Sequence, residues 1–251
     1  MKVGIVQMDI CWEDRERNRE RIATMIDRDC PEDIDWVILP EMCLSGFTMN
    51  AAAAALTDAD IRFFKEISLS REIAVTFGGI RDRRNQSITL RDGVEACAYS
   101  KIHLFSYAEE NKTYEYGKDV LTFRQKDFNI TPFICYDLRF SDCFFRAASL
   151  TGVFAVIANW PGKRQDHWNT LLRARAIENQ AYVIGVNRVG TDPNEEYFGG
   201  SVIVNPDGSI LLDCARQEGV FCADMDVARV ARSRAGFPAL KDRKQWNFKG
   251  I

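Results

Sequence analysis

The chain of 251 residues sets 33 Lys and Arg against 36 Asp and Glu, a formal charge of −3. No basic excess draws polyanions, so nucleic acid is not an expected partner. Hydrophobic residues at 46%, charged residues at 27% and aromatics at 11% are globular values that exclude a disordered, fibrous or membrane-embedded chain.

A chain of this length buries roughly three quarters of its unfolded surface in one core. No Pro/Gly/Ser-rich linker interrupts it, so residues 1–251 are expected to form one domain. No secretory leader is read at Met1-Lys2, and no window approaches the ~20 apolar residues of a membrane span. Eight cysteines are too dilute for a disulfide scaffold and read as reduced thiols of a cytoplasmic protein. With two histidines, no Cys-x-x-Cys and no His-Glu-x-x-His, neither a metal nor a cofactor is expected.

In chain order, Val3–Met8 reads as a strand and Trp12–Arg28 as a helix with Ile22, Met25 and Ile26 at helical spacing. Trp36–Leu39 is a short apolar run of the kind buried on both faces. Thr57-Asp58-Ala59-Asp60 resembles a capping box opening a helix that carries Ile61, Phe64 and Ile67. Ile73–Phe77 is the next strand, and Ser87–Leu90 with Ala96–Tyr99 form a hairpin about Arg91-Asp92-Gly93. Residues 103–120 read as a long loop. Phe128–Cys135 is a strand despite Pro132, Ser141–Thr151 a helix closed by Gly152, and Val153–Ala158 a strand ending at Asn159-Trp160-Pro161. Asp166–Ala181 reads as a helix, Tyr182–Val189 as a strand, Ser201–Leu212 as a hairpin, and the tail beyond Asp226 as helical and then irregular. Strand and helix alternate with hairpins inserted, the pattern of an α/β fold with mixed sheets and outer helices. The two halves look loosely alike, without a repeat that aligns residue by residue.

Three polar residues stand where apolar strands stop, the place where α/β sheets build their sites: Glu41, Lys101 and Cys135. Taken singly, the Glu and the Lys are ordinarily surface residues and the Cys ordinarily inert core. Together they have a chemical logic. Near a reference pKa of about 8.5, only ~3% of a thiol is ionised at neutral pH, so a nucleophilic cysteine needs a base. A carboxylate takes the proton, and an ammonium steadies the thiolate and then an oxyanion. His103, two residues beyond Lys101, is an alternative base.

Leu39-Pro40-Glu41-Met42, Ser100-Lys101-Ile102-His103-Leu104-Phe105 and Ile134-Cys135-Tyr136-Asp137-Leu138-Arg139-Phe140 resemble, in order and spacing, the three signature blocks of the nitrilase superfamily of carbon–nitrogen hydrolases. Val3–Gln7, Arg173–Asn179 and Gly199-Gly200-Ser201 extend the resemblance over most of the chain. It implies a four-layer αββα sandwich and a homodimer packed through helices near the nucleophile. It further implies Cys135 as nucleophile, Glu41 as base and acid, and Lys101 with the Tyr136 backbone N–H as oxyanion donors. Many members carry a second glutamate after the lysine block. Glu110 fits by spacing, with Glu109 and Glu115 as alternatives and solvated loop carboxylates as the plain reading.

Cys135-Tyr136-Asp137 resembles amidase branches rather than nitrilases, which usually show Cys-Trp-Glu. The Cys-Tyr-Asp-Leu-Arg-Phe string is similar to omega-amidases, which hydrolyse the terminal amide of short keto-dicarboxylic acid monoamides. Ser141-Asp142 stand where relatives often have Pro-Glu. Arg139 is then a candidate for a substrate carboxylate, with an ion pair to Asp137 or Asp142 as its structural alternative. Trp160 and Phe47 are candidate pocket walls, and otherwise core. The competing functions are carbamoyl-amide hydrolysis and a non-catalytic thiol-bearing scaffold.

Overall fold

In β1 (Lys2–Gln7) successive side chains point to opposite faces, and both sets are buried: Val3 and Ile5 on one side, Val6 on the other. The same alternation in β2 (Trp36–Ile38) sends Trp36 and Ile38 one way and Val37 the other. A sheet built from such strands needs cover on both faces, which is how the computed structural model, described for residues 1–244, is organised.

The first sheet adds β3 (Ala74–Arg81), β4 (Arg84–Arg91) and β5 (Val94–Ser100). The second contains β6 (Phe123–Gln125), β7 (Phe128–Ile134), β8 (Val153–Ile157) and β9 (Tyr182–Val186). A two-stranded ribbon, β10 (Val189–Thr191) with β11 (Glu196–Phe198), interrupts it before β12 (Val202–Val204) and β13 (Ile210–Asp213). The last strand, β14 (Gly219–Asp224), returns to pair antiparallel with β1. The strand orders are β14-β1-β2-β3-β4-β5 and β13-β12-β9-β8-β7-β6.

Each sheet has three parallel strands, β1-β2-β3 and β7-β8-β9, flanked by antiparallel ones. The loose likeness of the halves is thus a likeness of topology.

Val3, Ile5, Trp36, Ile38 and Tyr99 of the first sheet share one core with Phe128, Ile130 and Phe133 of the second. The outer face of the first sheet, with Val6, Val37, Val75 and Phe77, packs on α1 (Arg15–Asp29) and, past the single turn α2 (Ala51–Ala54), on α3 (Asp58–Ser70). Beyond the single turn α4 (Glu110–Thr113), the second sheet is covered by α5 (Ser141–Ala147) and α6 (Gln165–Asn179) through Phe144, Trp168 and Leu172. A Cβ on Gly185 of β9 would lie 2.4 Å from Leu172, so glycine sets the close approach of α6. These are the four layers of an αββα sandwich. The chain ends its described part in α7 (Val227–Gly236) and a short 3-10 turn, and the end of the expected irregular tail lies outside the described residues.

Several boundaries differ from the sequence reading, each for a physical reason. The first helix starts at Arg15, because Asp14 caps it by accepting from Arg17 N–H. The expected loop 103–120 contains a 3-10 turn at Ser106–Ala108 and the helix α4, both too short to show periodicity. The strand expected over Tyr182–Val189 breaks at Asn187, whose N–H and side chain bond to Ser201, Trp160 and Gly199. Pro132 sits in β7 beyond the three residues that pair with β6, so its missing N–H leaves that short ladder intact.

Candidate active site

Each sequence-selected tip has a local reason for its placement. The turn carrying Glu41 lies directly on β3 at Gly78, where a Cβ would be 2.6 Å from both Glu41 Cα and Met42 N. Lys101, just past β5, donates its N–H to Asn85 O (2.8 Å) and accepts from Gly117 N–H (2.7 Å). Cys135 follows β7 in the left-handed region, φ 45°, and opens a 3-10 turn over Cys135–Arg139. A non-glycine residue held there costs on the order of 1 kcal/mol, supplied by the surrounding bonds. Asp137 is the anchor: Oδ2 accepts from Ile134 N–H (3.1 Å) and Tyr99 O–H (2.7 Å), and Oδ1 from His103 N–H (2.8 Å).

The charged groups meet in a nest closed to solvent. Lys101 Nζ lies 3.0 Å from Glu41 Oε1, 3.1 Å from Glu110 Oε1 and 2.9 Å from Glu110 Oε2. All three side chains are 0% exposed. Asn85 bridges the two carboxylates, its Nδ2 donating to Glu41 Oε1 (2.7 Å) and Glu110 Oε1 (2.9 Å). Phe105 N–H donates to Glu110 Oε2 at 2.6 Å. From the second sheet, Asn159 N–H donates to Glu41 Oε2 (2.8 Å), while the Cys135 thiol points at Asn159 O (3.9 Å). Glu41 Oε1 therefore carries two donors and Oε2 one, which leaves Oε2 as the oxygen with room for a proton.

The electrostatics follow from burial and these neighbours. Burial alone would lower the Lys101 pKa, but Glu110 and Glu41 outweigh it and hold the ammonium charged. Burial pushes the Glu110 carboxyl up. Burial likewise pushes the Cys135 thiol well up, with Glu41 adding to the rise and Lys101 opposing it. The sulfur therefore rests protonated. Passing its proton to Glu41 keeps the total charge of the buried nest unchanged, whereas losing it to water would add a second net negative charge there.

A cavity of about 400 Å³ opens onto Lys101, Cys135, Tyr136 and Asn159, with Phe47, Trp160 and Arg139 along its walls. Glu41 and Glu110 stand behind that wall rather than on it. The Phe47 ring centroid is 5.3 Å from Lys101 Nζ. Arg139 pairs with neither Asp137 nor Asp142; its guanidinium lies 4.7 Å from the Trp160 ring centroid, with Nη2 3.2 Å from His167 Nδ1. His103 is stacked on Phe140 with Nδ1 on Asp137 (2.8 Å), away from the cavity lining. Of the alternative glutamates, Glu109 bonds to Lys112 and Glu115 to Arg84, both at the surface.

Two residues of the nest were not singled out in the sequence. Asn159 had a visible signal, a polar side chain ending an apolar strand. Asn85 had none, since in Arg83-Arg84-Asn85-Gln86 it reads as one polar residue among several. Among the described residues no three His, Cys, Asp or Glu side chains gather as metal ligands do.

A carbon-nitrogen hydrolase family model matches residues 2–235. Omega-amidase YafV of Escherichia coli K12 is 33% identical, covering 99% of this chain and 98% of that protein. The 2-oxoglutaramate amidase of Bacillus subtilis is 29% identical, covering 96% of both. Among solved structures, XC1258 of Xanthomonas campestris, a CN-hydrolase superfamily protein with an arsenic adduct in its active site, superposes with a TM-score of 0.91 at 29% identity, covering 99% of each chain. With its strand tips, its buried charges and its full-length relatives in agreement, the chain belongs to the carbon-nitrogen hydrolase family.

Proposed function

We propose that this hydrolase cleaves the terminal amide of small omega-monoamides to a carboxylic acid and ammonia through a thioester on Cys135. The observation that carries this reading is the junction of a cavity-facing thiol with a buried Glu41–Lys101–Glu110 nest through Asn159. Support for the substrate class comes from the omega-amidase relatives and from Arg139 on the cavity wall, a fork suited to a carboxylate.

In this mechanism Glu41 Oε2 takes the Cys135 proton as the sulfur attacks the amide carbon. Lys101 Nζ contacts Glu41 Oε1 and both oxygens of Glu110; one N–H shared between the two Glu110 oxygens frees a donor for the oxyanion, joined by the Tyr136 backbone N–H. Glu41 returns the proton to the departing nitrogen, which leaves as ammonia. Water, deprotonated by Glu41 in turn, opens the thioester and restores the thiol. Glu110 and Asn85 act through Lys101 and Glu41, holding them in place. Phe47 and Trp160 wall the acyl group.

The chain 1–251 is taken to work as one domain, because the nest draws on both sheets. A homodimer belongs to the same proposal, supported by exposed Phe145, Leu150 and Ile177 on and beside α5 and α6. Cytoplasmic residence is supported by eight unpaired thiols. The test is ammonia and carbon dioxide release across omega-monoamides, ureido acids and nitriles. Ammonia without carbon dioxide from succinamate or glutaramate is expected, whereas turnover of ureido acids alone would replace the proposal with carbamoyl-amide hydrolysis.

A further inference from the structure

The cavity holds more charge than the reaction centre uses. Its carboxylates are all committed: Glu109 to Lys112 (2.5 Å), Asp192 to the Tyr197 hydroxyl (2.6 Å), and Glu195 to Lys163. Two guanidiniums on the same wall are not. Arg139 has only His167 as a polar partner, and the Arg164 side chain has no hydrogen-bond or carboxylate partner among the described residues.

Both are seated on aromatic faces instead. Arg139 lies over Trp160, and Arg164 lies 5.5 Å from the Phe105 ring centroid. The Trp160 indole N–H donates to the Arg164 backbone oxygen at 2.8 Å, so the two seats are tied together. The two cations also feel one another: burial first, and Arg164 next, push the Arg139 guanidinium below its usual value. Like charges gathered in a partly dry cavity repel one another. An anionic ligand between them offsets that repulsion.

We infer that Arg164 is a specificity-determining residue, which together with Arg139 forms a two-guanidinium seat for the carboxylate end of the substrate and so selects anionic amides over neutral ones. The inference rests on the omega-monoamide reading and adds to it a second cation and a reason for discrimination. Arg164 reaches this seat from the turn before α6, while Arg139 comes from the turn carrying the nucleophile. The seat therefore fixes the substrate's charged end relative to Cys135 from two independent elements.

The experiment compares kcat/KM for succinamate and butyramide, a charged and a neutral amide of equal chain length, in the wild type, Arg164→Gln and Arg164→Lys. Loss of a charged hydrogen bond predicts that R164Q lowers kcat/KM for succinamate about tenfold or more, chiefly through KM, with butyramide unchanged. R164K should recover part of the loss. Equal loss on both amides, or none on either, overturns the inference by making Arg164 a packing residue. The failure of the underlying reading looks different: the wild type itself would then show no preference for succinamate.

Discussion

Among the described residues two cations are buried completely, Lys101 and Arg188, and they are held differently. Lys101 is surrounded by the ionisable carboxylates of Glu41 and Glu110 and forms part of a cavity wall. Arg188 is surrounded mainly by backbone. It donates to the carbonyls of Val189, Ile10 and Thr191 and to the Asp9 carboxylate, with the Asp192 carboxylate 3.9 Å away and the Tyr197 ring centroid 4.4 Å from its guanidinium. Burial pushes the Arg188 pKa down, whereas the carboxylates push that of Lys101 up. Three of the four Arg188 acceptors are carbonyls, which cannot change charge, so this cluster ties segments together. The Lys101 cluster shares its charge with ionisable carboxylates, which the proposed proton transfers require.

The comparison is broken most forcefully at Arg188. Arg188→Ala strands four acceptors from two segments, with an expected loss of about 3–5 kcal/mol of stability, read by denaturant unfolding. Molecules that remain folded should keep kcat within a few fold. Lys101→Met is the mirror case. It should lower kcat at least ~100-fold, about 3 kcal/mol in the barrier. Its stability loss should be smaller than that of R188A, because the Glu110 carboxyl, already raised by burial, takes up a proton and relieves the repulsion.

A finer test uses Asn85→Ala, which removes both bridging bonds from the carboxylates. Each hydrogen bond to a charged group contributes about 1.5–3 kcal/mol, so kcat is expected to fall by roughly tenfold or more while KM changes little. The smallest effect should come from Glu115→Gln, which removes the exposed pairing with Arg84. A shift within about 0.5 kcal/mol and unchanged kinetics are expected by denaturation and ammonia assay. A large effect of E115Q on kcat would undo the assignment of Glu110 to the nest.

What was legible in the sequence was legible because it is local. Strands buried on both faces must be written as unbroken apolar runs such as Trp36–Leu39 and Val153–Ile157, and polar residues that end such runs stand out. Asn85 does not stand out, because its role depends on antiparallel pairing that brings the start of β4 beside Lys101. Arg188 looks like part of a continuous strand for the same reason: its acceptors Asp9 and Ile10 lie near the other end of the chain. The edge strand β14 carries no local signal, because it completes the first sheet only by pairing with β1, more than 200 residues away. The helix α4 places Glu110 by a single turn, too short for any periodic signal.

Whether the Cys135 sulfur performs the attack is tested most directly by ammonia release from succinamate with Cys135→Ala. With folding verified by circular dichroism, this account predicts that release falls to the uncatalysed background. Release at the wild-type rate would contradict it.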